Sequence, residues 1–165
     1  MFGKLRNMTS IYIMRGDEVL MLYRQGSRAL LKDSWVGIGG HFEEQELNDA
    51  QACVLREVQE EIGLEPQELE NLELRYIALR AKSKEISQNY YFFAQLKNTQ
   101  REIPGCSEGQ LRWVPLKEAV MLDMPYTAQY VMRHYVEKGR FDQELYVVTA
   151  TEDGAAIVQA KRFEQ

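Results

Sequence analysis

Asp49-Ala50-Gln51-Ala52-Cys53-Val54-Leu55-Arg56-Glu57-Val58-Gln59-Glu60-Glu61-Ile62-Gly63-Leu64 is the stretch whose reading decides the fold. Asn48 and Asp49 are good helix N-caps, and Gly63 stands where a helix ends in a left-handed residue, so the pattern predicts a helix running to Ile62. A helix turns by about 100° per residue, which gathers Val54, Leu55, Val58 and Ile62 on one face for docking against a sheet. Glu57, Glu60 and Glu61, spaced i, i+3 and i+4, share another face. Three carboxylates within one turn repel each other unless a cation or an arginine compensates, and Arg56, four residues before Glu60, supplies part of that compensation.

Working outward, the chain reads as strands interspersed with helices. Residues 8–24 form two β-rich runs around the turn signal Arg15-Gly16-Asp17, a predicted hairpin. A polar, basic loop over Gln25–Ser34 leads to Trp35-Val36-Gly37-Ile38-Gly39-Gly40, a glycine-punctuated strand end where backbone can approach a ligand or bend. Leu72–Lys82 and Glu85–Leu96 read as strands, the second carrying Tyr90, Tyr91, Phe92 and Phe93, and Gly109–Leu116 is a shorter strand around Trp113. Lys117–Leu122 and Tyr126–Lys138 read as helices. Glu144–Ala150 and Ala155–Ala160 flank the turn signal Glu152-Asp153-Gly154 as a second hairpin. No repeat or linker interrupts 1–165, so one domain is expected, of α/β (α+β) class, with helices covering a mixed sheet.

The bulk properties narrow the chemistry. With 45% apolar and 27% charged residues the composition is that of an ordinary water-exposed domain. No apolar run approaches the roughly 18 residues needed to cross a bilayer, and charges interrupt the N-terminus before a signal-like segment can form. Two cysteines make no disulfide framework. A cytoplasmic location is expected, without membrane partners. A net charge of -5 argues against a broad footprint for nucleic-acid polymers, so an acidic protein that handles phosphate needs a cation as go-between. Hard carboxylate oxygens select Mg²⁺ or Mn²⁺, and Mg²⁺ shares its shell among one or two carboxylates, waters and substrate phosphates. An acidic helix face alone is usually just a solvated surface; its context changes that reading.

The context is Gly40-His41-Phe42-Glu43-Glu44-Gln45-Glu46 followed by Arg56-Glu57-Val58-Gln59-Glu60-Glu61-Ile62-Gly63-Leu64. Residues 40–64 resemble the Nudix box: glycine, five residues, glutamate, seven residues, then Arg-Glu-aliphatic-x-Glu-Glu-x-Gly-aliphatic. The chain departs from the pattern by placing nine residues between Glu46 and Arg56, which enlarges the loop before the helix and displaces Glu46 from its usual place. The resemblance implies a Nudix fold, an α/β/α sandwich with a mixed sheet. It implies Mg²⁺, with Mn²⁺ as the substitute, held by Glu57, Glu60, Glu61 and the Gly39 carbonyl; Glu57 or a neighbour orients the attacking water, and Arg56 buttresses the glutamates.

Beyond the box, Glu108-Gly109-Gln110-Leu111-Arg112-Trp113 resembles the strand after the metal loop in MutT-like 8-oxo-dGTP diphosphatases, with Glu108 at a further metal-binding position. Arg24 falls at a basic position near the substrate phosphates, Gly40 lets substrate approach, and Trp35 is a candidate cleft wall. Oxidised-purine-specific relatives can place asparagine before the Gly-x-Gly-Gly turn and an acidic pair after the tryptophan strand. This chain has Val36 and, nearby, only Asp123. His41 reads as a polar loop residue and Cys53 as a small buried hydrophobe rather than a nucleophile. The Tyr- and Phe-rich strands read as core, or as a homodimer seam if exposed. The implied activity is cleavage of a nucleoside triphosphate, 8-oxo-dGTP being one candidate, to monophosphate and pyrophosphate. Hydrolysis of an ADP-sugar or dinucleotide, a non-catalytic nucleotide sensor, and isopentenyl diphosphate isomerisation are the rival readings.

Overall fold

The computed structural model describes residues 3–25 and 32–161. Most of the basic loop expected between Gln25 and Ser34 therefore lies outside the described residues. The element order is β1(Lys4–Arg15), β2(Glu18–Arg24), β3(Ser34–Val36), α1(Ala50–Ile62), β4(Leu69–Lys82), β5(Glu85–Leu96), β6(Gln110–Pro115), α2(Leu116–Ala119), α3(Tyr126–Glu137), β7(Tyr146–Thr151) and β8(Gly154–Gln159). Short 3₁₀ turns at Glu44–Glu46 and Pro66–Glu68 precede α1 and β4. β5 and α3 match the expected spans closely. β1 begins four residues before the expected hairpin strand, because its first half pairs with β5 at a distance no local pattern reports.

Among the described residues the strands form one mixed sheet in the order β3-β2-β1-β5-β4-β7-β8, with β6 paired to β2. β1 runs parallel to β5 and β4 parallel to β7; the other strand pairs are antiparallel. Period-two alternation assigns β1 to both layers of core at once. Ile11 and Ile13 join Val54, Val58 and Ile62 of α1 on one face, while Tyr12 and Met14 join Val131, Met132 and Tyr135 of α3 on the other. The four central residues Ile11 to Met14 are almost wholly buried. The expected sandwich, a mixed sheet between helices, is thus observed. Tyr90 to Phe93 lie in the middle of the sheet between β1 and β4, where Tyr91, Phe92 and Phe93 are buried core and Tyr90 is half-buried against it.

One irregularity in this sheet positions the acidic helix. β1 and β2 pair only next to their turn, at Met14–Val19 and Arg15–Glu18, after which β2 continues between β3 and β6. The segment 37–42 fills the fork: the Ile11 and Ile38 amides exchange bonds with each other's carbonyls at 2.7 and 3.2 Å, and the Thr9 amide donates to Gly40 O at 2.9 Å. So close a fit leaves no room for a Cβ at Gly37, Gly39 or Gly40. Gly39 has φ +151°, and a Cβ there would overlap the Thr9 carbonyl oxygen. A Cβ on Gly40 would overlap the Glu57 carboxylate. The glycines therefore let the strand end run under α1 with its backbone against the glutamates.

Among the described residues no helix is long and apolar enough to cross a membrane. Gly39→Ala combines a strained φ with a backbone overlap, and it should destabilise the fold by about 3 kcal/mol. Thermal and urea unfolding of the variant beside the native chain measure this; an unchanged midpoint would contradict the close packing of 37–40 on β1.

Candidate active site

The site is assembled where the N-terminal half of the fork meets α1. Asp49 caps the helix, its carboxylate accepting from the Ala52 amide at 2.9 Å, and Gly63 ends it in the left-handed conformation at φ 68°. The buried row Val54, Val58 and Ile62 seats α1 on the sheet. This fixes which way the remaining faces point, and it separates the three glutamates. Glu57 and Glu61 turn inward with side chains only 13% and 10% exposed, whereas Glu60 is 58% exposed on the solvent edge. The expectation of one shared patch is corrected by helix geometry: Glu60 and Glu61 are neighbours in sequence and so about 100° apart on the helix.

Arg56 is the hub. Its Nε donates to Glu46 Oε1 at 2.6 Å and its Nη2 to Glu46 Oε2 at 3.0 Å, a bidentate pair. Nη1 donates to Glu57 Oε1 and to Glu60 Oε2, both at 3.0 Å, and Nη2 also donates to the His41 carbonyl at 3.1 Å. The i, i+4 contact to Glu60 was visible in the spacing, but the closest partner, Glu46, lies ten residues back. The inserted residues are taken up as the turn at 47–48 before the Asp49 cap, with Leu47 left exposed, so Glu46 still reaches the arginine. Its bidentate contact drags the Glu46 carboxyl down to about 2.

Glu61 faces the opposite situation. Burial pushes its carboxyl up to about 7, against the opposing pull of Arg24, with Glu57 and Glu108 adding like-charge repulsion. Arg24 Nη2 stands 4.0 Å from Glu61 Oε1 and 3.4 Å from Glu108 Oε2. Glu61 Oε2 and Arg24 Nε are buried without a hydrogen-bond partner in the structure. Glu57 is also raised by burial, with Arg56 opposing. An under-neutralised pair of inward carboxylates beside bare backbone at Gly39 and Gly40 is chemistry that suits a divalent cation: the oxygens are hard and one of them is orphaned. Among the described residues no three His, Cys, Asp or Glu side chains converge into a ready-made metal cage. An ion at this place would share backbone and substrate oxygens, as Mg²⁺ commonly does.

The other candidates fall into place around this centre. Trp35 pairs with Tyr23 across β2 and β3, the rings 4.9 Å apart, and its amide donates to the Asp123 carbonyl at 2.9 Å. Asp123 thus arrives beside Trp35 and Val36, with its carboxylate held by Lys32 at 2.9 Å. Trp113 lies farther along β6 under the Arg15 guanidinium, 4.1 Å from its ring centre, and takes no part in this cluster. His41 accepts from Arg6 Nε at 2.7 Å, a contact across 35 residues that no local pattern announces. Cys53 is fully buried against Thr9, sulfur to hydroxyl 3.4 Å, and burial raises its thiol to about 11. A thiol so held is packing, not a nucleophile.

The lowered Glu46 carboxyl has a consequence for stability. A group whose folded pKa is depressed stabilises the fold above its unfolded pKa, near 4.5, and that contribution drains away as pH falls towards about 2. Glu46→Gln should therefore cost about 1.5–3 kcal/mol at neutral pH, the range for hydrogen bonds to charged groups, and should flatten the loss of stability between those two pH values. Urea midpoints of both chains across that window test it; parallel curves would contradict the assigned role.

A family model described as NUDIX domain matches residues 4–138. The fold is similar to that of a mutator MutT protein from Bacillus halodurans, at 22% identity and TM-score 0.66, covering 92% of this chain and 97% of that one. It is also similar to a C. elegans Ap4A hydrolase, at 16% identity and TM-score 0.63, covering 85% and 100%. An ADP-ribose pyrophosphatase from Streptococcus suis gives 15% identity and TM-score 0.57, covering 88% and 98%. At these identities the structural likeness speaks for the fold, and the family model, which spans most of the chain including the arginine hub and its glutamates, speaks for the lineage. The chain therefore belongs to the NUDIX domain family and is a hydrolase of phosphoric anhydride bonds, in a family that uses divalent metal ions on small nucleotide-derived substrates.

Proposed function

We propose that the chain is a Mg²⁺-dependent pyrophosphohydrolase that cuts a nucleoside triphosphate, 8-oxo-dGTP among the candidates, to the monophosphate and pyrophosphate. The observation that carries the reading is the buried, orphaned carboxylate oxygen of Glu61 next to Glu57 and the Gly39-Gly40 backbone. Glu57, Glu61, Glu108 and the Gly39 carbonyl would hold Mg²⁺, with Glu60 a further ligand from the helix edge and Mn²⁺ able to substitute. Bound there, the ion supplies positive charge to the phosphoryl oxygens and acidity to water.

The chain's own residues do the rest. Arg56 grips Glu57 Oε1, which leaves the other oxygen of that carboxylate to orient water and accept its proton. The raised Glu57 carboxyl makes it a better base than an exposed glutamate. Water oxygen bonds to the attacked phosphorus, the bridging P–O bond breaks, and its electron pair leaves with pyrophosphate. Arg24, at the end of β2 with a donor to spare at Nε, neutralises the phosphate chain. Gly40 admits the substrate without steric obstruction, and Trp35 walls the base side. In this reading residues 1–165 act as one cytoplasmic domain on small nucleotides, not on nucleic-acid polymers.

Val36 offers no hydrogen bond to a purine edge, and the likeness to Ap4A hydrolase and ADP-ribose pyrophosphatase folds supports a second substrate reading, a dinucleotide or ADP-sugar. The two readings part on products. Mg²⁺-dependent release of pyrophosphate from a panel of ordinary and 8-oxo triphosphates should exceed any turnover of ADP-ribose or a dinucleotide; the reverse order selects the second reading. Glu57→Gln should lower kcat by about 10²- to 10⁴-fold with the fold intact, and unchanged turnover would sink the site assignment. Arg24→Ala should cost about 10- to 100-fold in kcat/KM, the worth of one charge-assisted hydrogen bond to phosphate. An Arg24→Ala chain with native kcat/KM would remove that residue from the site.

A further inference from the structure

The far end of the sheet carries a surface that the hydrolytic chemistry does not use. β8 is the terminal strand, and among the described residues no strand pairs with its outer edge. Natural edge strands are guarded by charge, proline or a bulge against pairing with another chain. Gly154-Ala155-Ala156-Ile157-Val158-Gln159 has none of these in its span, with neither a charged residue nor proline and an uninterrupted register against β7. The Ala160 amide donates inward to Leu145 O at 2.7 Å, so alternation along the strand turns the backbone groups of Ala155, Ile157 and Gln159 outward.

The adjoining face is unpartnered too. The α1-side core takes in Leu69, Leu72 and Leu74 of the first half of β4 and does not extend to the second half of β4, to β7 or to β8. There Ile77, Val147 and Val158 lie in one cross-strand row, belong to neither core cluster, and end in Val158 at 63% exposure. Along the edge the sequence places charge outside the strand, Glu152 and Asp153 before it and Lys161, Arg162 and Glu164 after it.

We propose that the β8 edge pairs antiparallel with β8 of a second copy of this chain, joining two sheets across a two-fold axis at Ile157. A two-fold normal to the sheet keeps each face on its own side, so partners must sum to an even number. Centring on Ile157 then opposes Ala155 to Gln159 of the second copy, the residues whose backbone groups point outward, and closes about six main-chain hydrogen bonds. The same register sets Asp153 opposite Lys161 of the second copy at both ends, a self-complementary charge pair. The row Ile77, Val147 and Val158 continues across the axis and adds apolar burial to a ladder that alone would be marginal.

This interface stands apart from the acidic cluster. Four strand spacings, about 19 Å, separate β1 from β8. It neither needs nor implies the substrate reading.

Sedimentation velocity of the full chain over a concentration series tests it, with Asp153→Lys, Lys161→Asp, the paired reversal and Gln159→Pro. The native chain should show a doubling of mass with rising concentration. Each single reversal sets like charges opposite one another and should lose the dimer, and the paired reversal should restore it. Gln159→Pro removes an outward amide while sparing the inward ladder to β7, so it should sediment as monomer with a native thermal midpoint. Pyrophosphate release should be unchanged in all four. A native chain that stays monomeric throughout, a dimer that survives Gln159→Pro, or a paired reversal that fails to recover what the single ones lost would each overturn the proposal.

Discussion

Everything at the acidic end of this molecule depends on one guanidinium. Arg56 spends its donors on Glu46, Glu57, Glu60 and the His41 carbonyl, which belong to the loop, the helix and the strand end that follows the fork. Each contact restrains a different segment of chain. Together they make the loop before α1 a fixed object despite its length, since a bidentate carboxylate pair sets angle as well as distance. Without a cation here, four carboxylates would stand near one another at the rim of a half-buried cleft, a costly arrangement in a low-dielectric setting.

The same guanidinium divides the carboxylates by duty. Glu46 and Glu60 are neutralised by Arg56, and Glu57 shares one oxygen with it. Glu61, one turn beyond Glu57, is out of its reach and has Arg24 only at 4.0 Å. A buried carboxylate with so little compensation resists ionising, which is why its carboxyl sits near neutrality. The helix thus presents arginine-paired and under-neutralised carboxylates about one turn apart. The backbone of Gly40 lies against the Glu57 carboxylate because no side chain keeps it away.

The sheet separates these concerns in space. Its β1–β2 fork, filled by residues 37–42, exists to bring glycine backbone under α1. At its other end the second half of β4, with β7 and β8, keeps an uninterrupted register, packs on the α3 side, and leaves the row Ile77, Val147 and Val158 outside both cores on the opposite face. Between the two lies the aromatic core of Tyr12, Tyr76, Phe93 and Tyr135, where Phe93 and Tyr135 stack with ring centres 3.7 Å apart.

The sequence by itself determined the local objects. The Asp49 cap, the span to Ile62, the Gly63 stop, the buried face of α1 and the strand over Glu85–Leu96 follow from capping, periodicity and side-chain type, and all of these act over a few residues. Membership of the family was legible as well, because its signature is itself a local spacing of glycine, arginine and glutamate on that helix. Only the tertiary structure decided which partner each charge takes. Glu46 reaches Arg56 across an enlarged loop, Arg24 comes from β2 to stand between Glu61 and Glu108, His41 meets Arg6, and Asp123 arrives beside Trp35. Charged side chains act through space with no periodicity along the chain, so their pairing becomes definite only when the sheet has brought distant strands together and burial has removed the water that would otherwise screen them.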